Sequence, residues 1–127
     1  MNYLYVMIGG ALGAASRYGL GQLLSGFRAL SMPLGTLGIN LLGCFLLGIL
    51  TALAQKNVCL PFLDEEQSRH LMLLLTVGFC GAFTTFSTFS AETIKAIEGG
   101  LLWQPLLYVL TSIVVGLLLF WWGKHLI

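Results

Sequence analysis

The residues of this chain that could do chemistry inside its apolar stretches are all neutral. Thr36, Asn40, Thr84, Thr85, Ser87, Thr88, Ser90, Tyr108, Thr111 and Ser112 lie deep in hydrophobic surroundings. The densest group is Gly78 to Ser90, GFCGAFTTFSTFS, within a segment free of Lys, Arg, Asp and Glu between Arg69 and Glu92. Hydroxyls and glycines at bilayer depth must face another helix or line a path for something polar. Amide N–H and hydroxyl O–H groups can donate to an anion without carrying a fixed charge. Phe79, Phe83, Phe86 and Phe89 interleave with them, and a phenyl ring has a positive edge. Neutral donors with ring edges suit a small, hard, poorly polarisable anion. The same groups also suit hydrogen-bonded contacts between helices, and the residues alone leave both readings open.

Other chemistries fit poorly. The sequence offers neither a nucleophile–base pair nor metal-ligand spacing, and it places no carboxylate in mid-span. That argues against an enzyme. It also argues against a proton-coupled exporter, which needs an ionisable group within the membrane. A small dual-topology proton-coupled exporter is the alternative reading, and a structural membrane subunit is a third. Cys44, Cys59 and Cys80 are an odd number without C-x-x-C spacing and read as structural residues. His70 and His125 read as interfacial histidines.

The elements that must position these residues are membrane helices. The chain has 127 residues, 57% hydrophobic and 9% charged, with mean hydropathy +0.92. A soluble domain averages about 25% charged residues. The net charge of +1 argues against a nucleic-acid partner. Arg17 is the first charged side chain, so the opening apolar run reads as a retained span rather than a secretory signal. Four spans of a single domain covering 1–127 are expected, at about 3–24, 34–55, 70–98 and 102–123.

Gly9 and Gly13 form a G-x-x-x-G in the first span. Glycine faces on the first two spans offer packing surface to a partner. Pro33 suits the first turn of the second helix, and Asp64 suits the cap of the third, with Glu65 and Glu66 behind it. The third span, with Gly78, Gly81 and then Thr and Ser, is expected to be interrupted near mid-membrane. Gly99-Gly100 reads as a tight loop. Trp103, Trp121, Trp122 and the rather deep Tyr108 are candidates for interfacial aromatics.

With four spans, Lys56, Arg69 and Lys124 fall on one side and Arg17, Arg28 and Lys95 on the other, three against three. Orientation follows the Lys/Arg bias, and here the bias is zero. The expectation is insertion both ways round and pairing of opposite copies, unless Arg17 or Lys95 is buried and does not count.

The run G-x-C-G-x-x-T-T-F-S-T-F-S over Gly78 to Ser90 resembles the signature of the Fluc (CrcB) fluoride channel family. The resemblance extends to Gly9, Gly10, Gly13, Arg17 and Tyr18, to Gly38-Ile39-Asn40-Leu41 with Gly43, and to Glu92. It covers the whole chain. It implies an all-α membrane protein with four transmembrane helices, the third broken, forming an antiparallel homodimer in the bacterial plasma (inner) membrane. It implies a passive channel exporting fluoride through two narrow pores.

By matching position, Phe86 and Phe89 would present ring edges to fluoride. Asn40 would be a donor, with Thr36 one turn before it. Ser87, Thr88, Tyr108 and Ser112 would belong to the polar track, which lacks its next small polar residue because this chain has Gly116. Glu92 and Arg17 would sit near pore mouths. A structural sodium ion would be held by main-chain carbonyls of Gly81 and Thr84 from both subunits. Phe79 and Phe83 would be packing residues.

The charge balance makes a direct prediction. Single cysteines introduced at each face and labelled from one side at a time should report both orientations in similar amounts. One-sided labelling would refute dual insertion.

Overall fold

The computed structural model describes residues 1–29, 31–56 and 63–127. Cys59 and part of the polar connection after the second helix lie outside the described residues. Helix α1 is Asn2–Leu24. It leads into a two-strand hairpin, β1 Arg28–Ala29 against β2 Met32–Pro33, antiparallel with Arg28 opposite Pro33. Helix α2 is Leu34–Gln55. The third long element is compound: α3 Glu65–Leu73, a π-helical segment Leu74–Cys80, a single turn α4 Gly81–Phe83, and α5 Phe86–Glu98. Helix α6 is Trp103–His125.

Among the described residues, three helical segments are long and apolar enough to cross a membrane: Leu34–Gln55, Glu65–Glu98 and Trp103–His125. Helix α1 is equally long at 23 residues, but Asn2, Arg17, Gln22 and its glycines make it less apolar.

Local chemistry explains the boundaries. Asp64 caps α3 through a reciprocal box: the Gln67 N–H donates to Asp64 Oδ1 at 2.7 Å, and the Asp64 N–H donates to Gln67 Oε1 at 3.2 Å. The third helix therefore starts at Glu65, about a turn before the expected His70. Pro33 is the N-cap of α2 rather than its first helical residue. Helix α5 ends in a Schellman motif. Gly100 adopts φ +86, the Leu101 N–H donates to the Ala96 carbonyl at 3.0 Å, and the Gly100 N–H donates to the Ile97 carbonyl at 2.9 Å.

Helix α1 packs along the π-helical segment, and α2 along α6. Some of the glycines that the sequence offered to a partner set both contacts inside the chain. A Cβ at Gly9 would overlap the Leu74 carbonyl, and one at Gly13 the Phe79 carbonyl. Gly78 answers from the other side, where a Cβ would lie 2.8 Å from the Val6 carbonyl. Gly48 and Gly123 do the same between α2 and α6, against Phe120 and Phe45 backbone. Gly43 receives the Thr84 side chain. Gly10 and Gly38 meet nothing within 4 Å.

Phe83 and Cys80 are fully buried, and Phe79 stacks on Phe83 at 5.5 Å, which agrees with packing roles. His70 is packed inside the chain. It is 6% exposed and stacked on Tyr5 at 4.4 Å, because the early start of α3 carries it inside the pair with α1. Tyr108 is also interior, at 4% exposed, whereas Trp103, Trp121 and Trp122 are exposed.

The glycine contacts predict an asymmetric pair of variants. Gly9→Ala must push two backbones apart and should cost about 1–3 kcal/mol, seen as a lower unfolding temperature in detergent. Gly10→Ala, with open space around it, should unfold like the parent protein.

Candidate functional site: a broken helix and two clefts

The site is built where the third helix stops and restarts. Thr84 (φ −80, ψ 156) and Thr85 (φ −147, ψ 117) are extended, between the single turn α4 and the start of α5. Leaving the helix frees main-chain groups that must be paired again. Asn40 does this for Thr85. The Thr85 N–H donates to Asn40 Oδ1 at 2.8 Å, and Asn40 Nδ2 donates to the Thr85 carbonyl at 3.0 Å. Thr85 then caps α5, its Oγ1 accepting from the Thr88 N–H at 3.2 Å. It also donates to Thr88 Oγ1 at 3.1 Å and lies 3.3 Å from Ser87 Oγ.

The interruption therefore falls at Thr84–Thr85. Gly78 is π-helical and packs against α1, while Gly81 is helical (φ −63, ψ −36) with room around it for a Cβ, so the expected break over Gly81 to Thr84 is realised at its Thr84 end. The extended backbone goes to two adjacent β-branched residues, which favour it.

Two clefts open on Thr85. The first, about 300 Å³, brings together Asn40, Phe86, Phe89 and Ser112, with Gly43, Cys44 and Thr84. Its lining carries no charged side chain. Phe86 is 79% exposed, and its ring lies 5.8 Å from that of Phe89, tilted by 38°. Phe89 in turn stacks on Tyr108 at 5.3 Å. The second cleft, about 430 Å³, is lined by Arg17, Arg28, Thr36, Thr88 and Glu92 as well as Thr85.

Glu92 sits where α2, α5 and α6 meet. Thr36 Oγ1 donates to its Oε1 at 2.7 Å, and the Tyr108 hydroxyl donates to its Oε2 at 2.9 Å. Arg17 is half-buried and reaches the Thr84 carbonyl at 3.4 Å, the long end of a hydrogen bond. Its guanidinium is thus turned toward the break, which weakens its weight in the charge balance.

The hydroxyls divide into two groups. Those of Thr84, Ser90, Thr93 and Ser112 donate to carbonyls four residues back in their own chain segment. Their protons are committed to the backbone. Thr88 accepts from Thr85 and keeps its own proton free for another partner.

Every site residue expected from the sequence is thus placed. Asn40, Phe86, Phe89 and Ser112 share one cleft, and Thr36, Thr88, Glu92 and Arg17 share the other. Tyr108 joins them by its bond to Glu92 and its stack on Phe89. Ser87 sits at the α5 cap beside Thr85. Gly81 lies in the turn before the interruption and Thr84 within it. The residue that sequence reasoning left out of the site is Thr85, which lines both clefts. Its signal was a Thr immediately before an amphipathic helix, with a polar residue three positions on. Cys44 also lines the neutral cleft.

An all-helical protein with apolar spans, one of them broken over a neutral cleft, is a membrane protein with a polar interior. Residues 4–124 match the family described as CrcB-like protein, Camphor Resistance (CrcB), and the chain belongs to that family. Its relatives carry consistent descriptions. A protein of Dehalococcoides mccartyi named fluoride-specific ion channel FluC is 43% identical over 97% of this chain and 89% of its own length. Proteins with the same name from Thermus thermophilus and Oceanobacillus iheyensis are 41% and 45% identical. Each alignment covers 98% of this chain, with 94% and 90% of the relatives' own lengths.

The paired main-chain bonds of Asn40 predict a stability effect. Asn40→Ala orphans the N–H and the C=O of buried Thr85, at a cost of roughly 1–3 kcal/mol for each group. Ser112→Ala removes only a bond back to Tyr108 in the same helix and should be close to neutral. Thermal unfolding of the two variants in detergent separates them; equal stability would remove the structural role of Asn40.

Proposed function

We propose that this protein is a fluoride-selective channel that lets fluoride leave the cytoplasm passively. The observation that carries the reading is the uncharged cleft that Phe86 and Phe89 line together with Asn40 and Ser112 at the helix break. Fluoride is small and strongly hydrated, so removing its water is costly unless hard donors replace it. Phenyl edges and the remaining N–H of Asn40 in the neutral cleft, and the free hydroxyl of Thr88 in the second, are such donors. None is a fixed cation, and conduction requires sites weak enough to release the ion. The names of the relatives point to the same ion and to transport rather than catalysis.

Glu92, held by Thr36 and Tyr108, and Arg17, turned toward the break, flank the second cleft. In this reading they stand at the mouth of the path. The track along α6 runs from Tyr108 to Ser112 and reaches Gly116, where Cys44 Sγ lies 3.5 Å from the position a Cβ would take.

The assembly is an antiparallel homodimer with four spans per chain and two pores, in a bacterial plasma membrane. Helix α1 is the fourth span, its modest hydropathy offset by packing against the π-helical segment. The exposed ring of Phe86 and the one-sided opening of the neutral cleft support a second copy closing the path. A structural sodium ion at the break is part of this reading. The Thr85 N–H is turned to Asn40, so the Gly81 carbonyl is released from its helical partner and can face a cation. The Gly81 carbonyl, and the Thr84 carbonyl by the lone pair that the long bond from Arg17 leaves to it, would hold the ion with their counterparts in the second copy, supplying positive charge outside the pore.

Liposomes containing only this protein should release fluoride without a proton gradient and exclude chloride. Phe86→Ile and Phe89→Ile should each suppress flux at least tenfold, equivalent to about 1.4 kcal/mol, with the dimer intact by gel filtration. Equal chloride flux, or normal fluoride flux in both variants, would remove this reading.

A further inference from the structure

A third cleft, of about 340 Å³, adjoins the second on the side away from the break, sharing Arg28, Pro33 and Glu92 with it and adding Ser31, Lys95 and Leu101. It is formed where the hairpin, the end of α5 and the loop before α6 meet. Arg28 reaches it from β1 and Lys95 from the last turn of α5, with Ser31 between the strands and Met32 and Leu101 as apolar walls. Among the described residues, neither cation is held by a carboxylate. Glu92 also borders this cleft, but its two oxygens accept from Thr36 and Tyr108. Two cations against one acid leave the cleft net positive.

We propose that this cleft binds the phosphate of an anionic membrane phospholipid. Three observations select a lipid. The cleft lies at an end of the spanning helices: Arg28 follows the end of α1 at Leu24, and α6 begins at Trp103. That is the level of the headgroups. The large side chains next to it in sequence are exposed, Phe27 at 61%, Leu102 at 71% and Trp103 at 79%, as expected of residues resting in the interface. The volume is far larger than a monatomic anion needs, and its mixture of cations, one hydroxyl and apolar walls matches a phosphodiester joined to glycerol. Basic pockets between membrane helices recognise lipid headgroups in this way, at about 1 kcal/mol per Lys or Arg. The proposal rests on the protein being embedded in a membrane and not on which ion it conducts, so flux and lipid binding can fail separately.

The test uses the full chain with Trp103 as the sole tryptophan, through Trp121→Phe and Trp122→Phe. It is reconstituted in phosphatidylcholine vesicles containing brominated phosphatidylglycerol or, separately, brominated phosphatidylcholine at equal mole fraction. Brominated phosphatidylglycerol should quench Trp103 more strongly. Arg28→Gln and Lys95→Gln should each weaken its relative binding roughly fivefold, the factor that about 1 kcal/mol represents, and the double variant should abolish the excess. Gel filtration and thermal unfolding establish that the variants remain folded. Lys56→Gln with Lys124→Gln, at the other end of the helices, should leave the excess unchanged. Equal quenching by the two lipids would overturn the proposal. So would an excess that survives in the double variant, or one lost equally on neutralising Lys56 and Lys124. Saturating inorganic phosphate should leave the quenching as it was; displacement of the brominated lipid would reassign the cleft to soluble anions.

Discussion

The pairing of one side-chain amide with both main-chain groups of Thr85 is the constraint on which the rest of this structure depends. A helix cannot simply stop among apolar spans, because each freed N–H and C=O there lacks water to bond with. Asn40 supplies both missing partners at 2.8 and 3.0 Å, so two residues can run extended between α4 and α5. That short extended segment has three consequences. It points the start of α5 so that Phe86 and Phe89 face α2 and α6. It leaves the Gly81 carbonyl without its helical donor. It also places Thr85 between two clefts, one neutral and one edged by Arg17 and Glu92.

The clamp acts only because the helices lie close enough for Asn40 to reach. Glycine provides that closeness. Gly9, Gly13 and Gly78 bring α1 against the π-helical segment, Gly48 and Gly123 bring α2 against α6, and Gly43 accepts the Thr84 side chain. In lipid there is little hydrophobic drive between helices, so close backbone contact and interhelical hydrogen bonds carry the association. Here the two cooperate: glycines set the spacing, and the bonds of Asn40 and Glu92 fix the register of α2 against α5 and α6.

A tension noted in the sequence, helix contacts against a path for an anion, is resolved residue by residue. Thr84, Ser90, Thr93 and Ser112 direct their hydroxyls into their own backbone. Thr36 and Tyr108 are committed to Glu92. What remains free toward the neutral cleft is sparse: ring edges, one amide hydrogen and little else. Such sparseness suits an ion that must be held briefly and released.

Much of the architecture was legible in the sequence because it follows from local composition. The apolar stretches mark the long helices, Asp64 marks the start of α3, and Gly99-Gly100 marks the end of α5. The residues gathered around the break were also legible, since Thr and Ser interleaved with Phe have few uses inside a span. Several placements needed the folded chain. The resemblance placed the interruption over Gly81 to Thr84. It falls at Thr84–Thr85, at the end of that stretch, because there Asn40, 45 residues away in sequence, pairs the freed backbone. Gly9, Gly13, Gly43 and Gly48 are used within the chain, while Gly10 and Gly38 stay open, a division that only the packing decides. The stack of His70 on Tyr5 also appears only in the folded chain. Sequence by itself determined which residues are apolar, which can cap, and which neutral donors exist. Tertiary structure alone decided which donors stay free, because a hydroxyl or carbonyl is available only after its neighbours across the helix contacts have taken theirs.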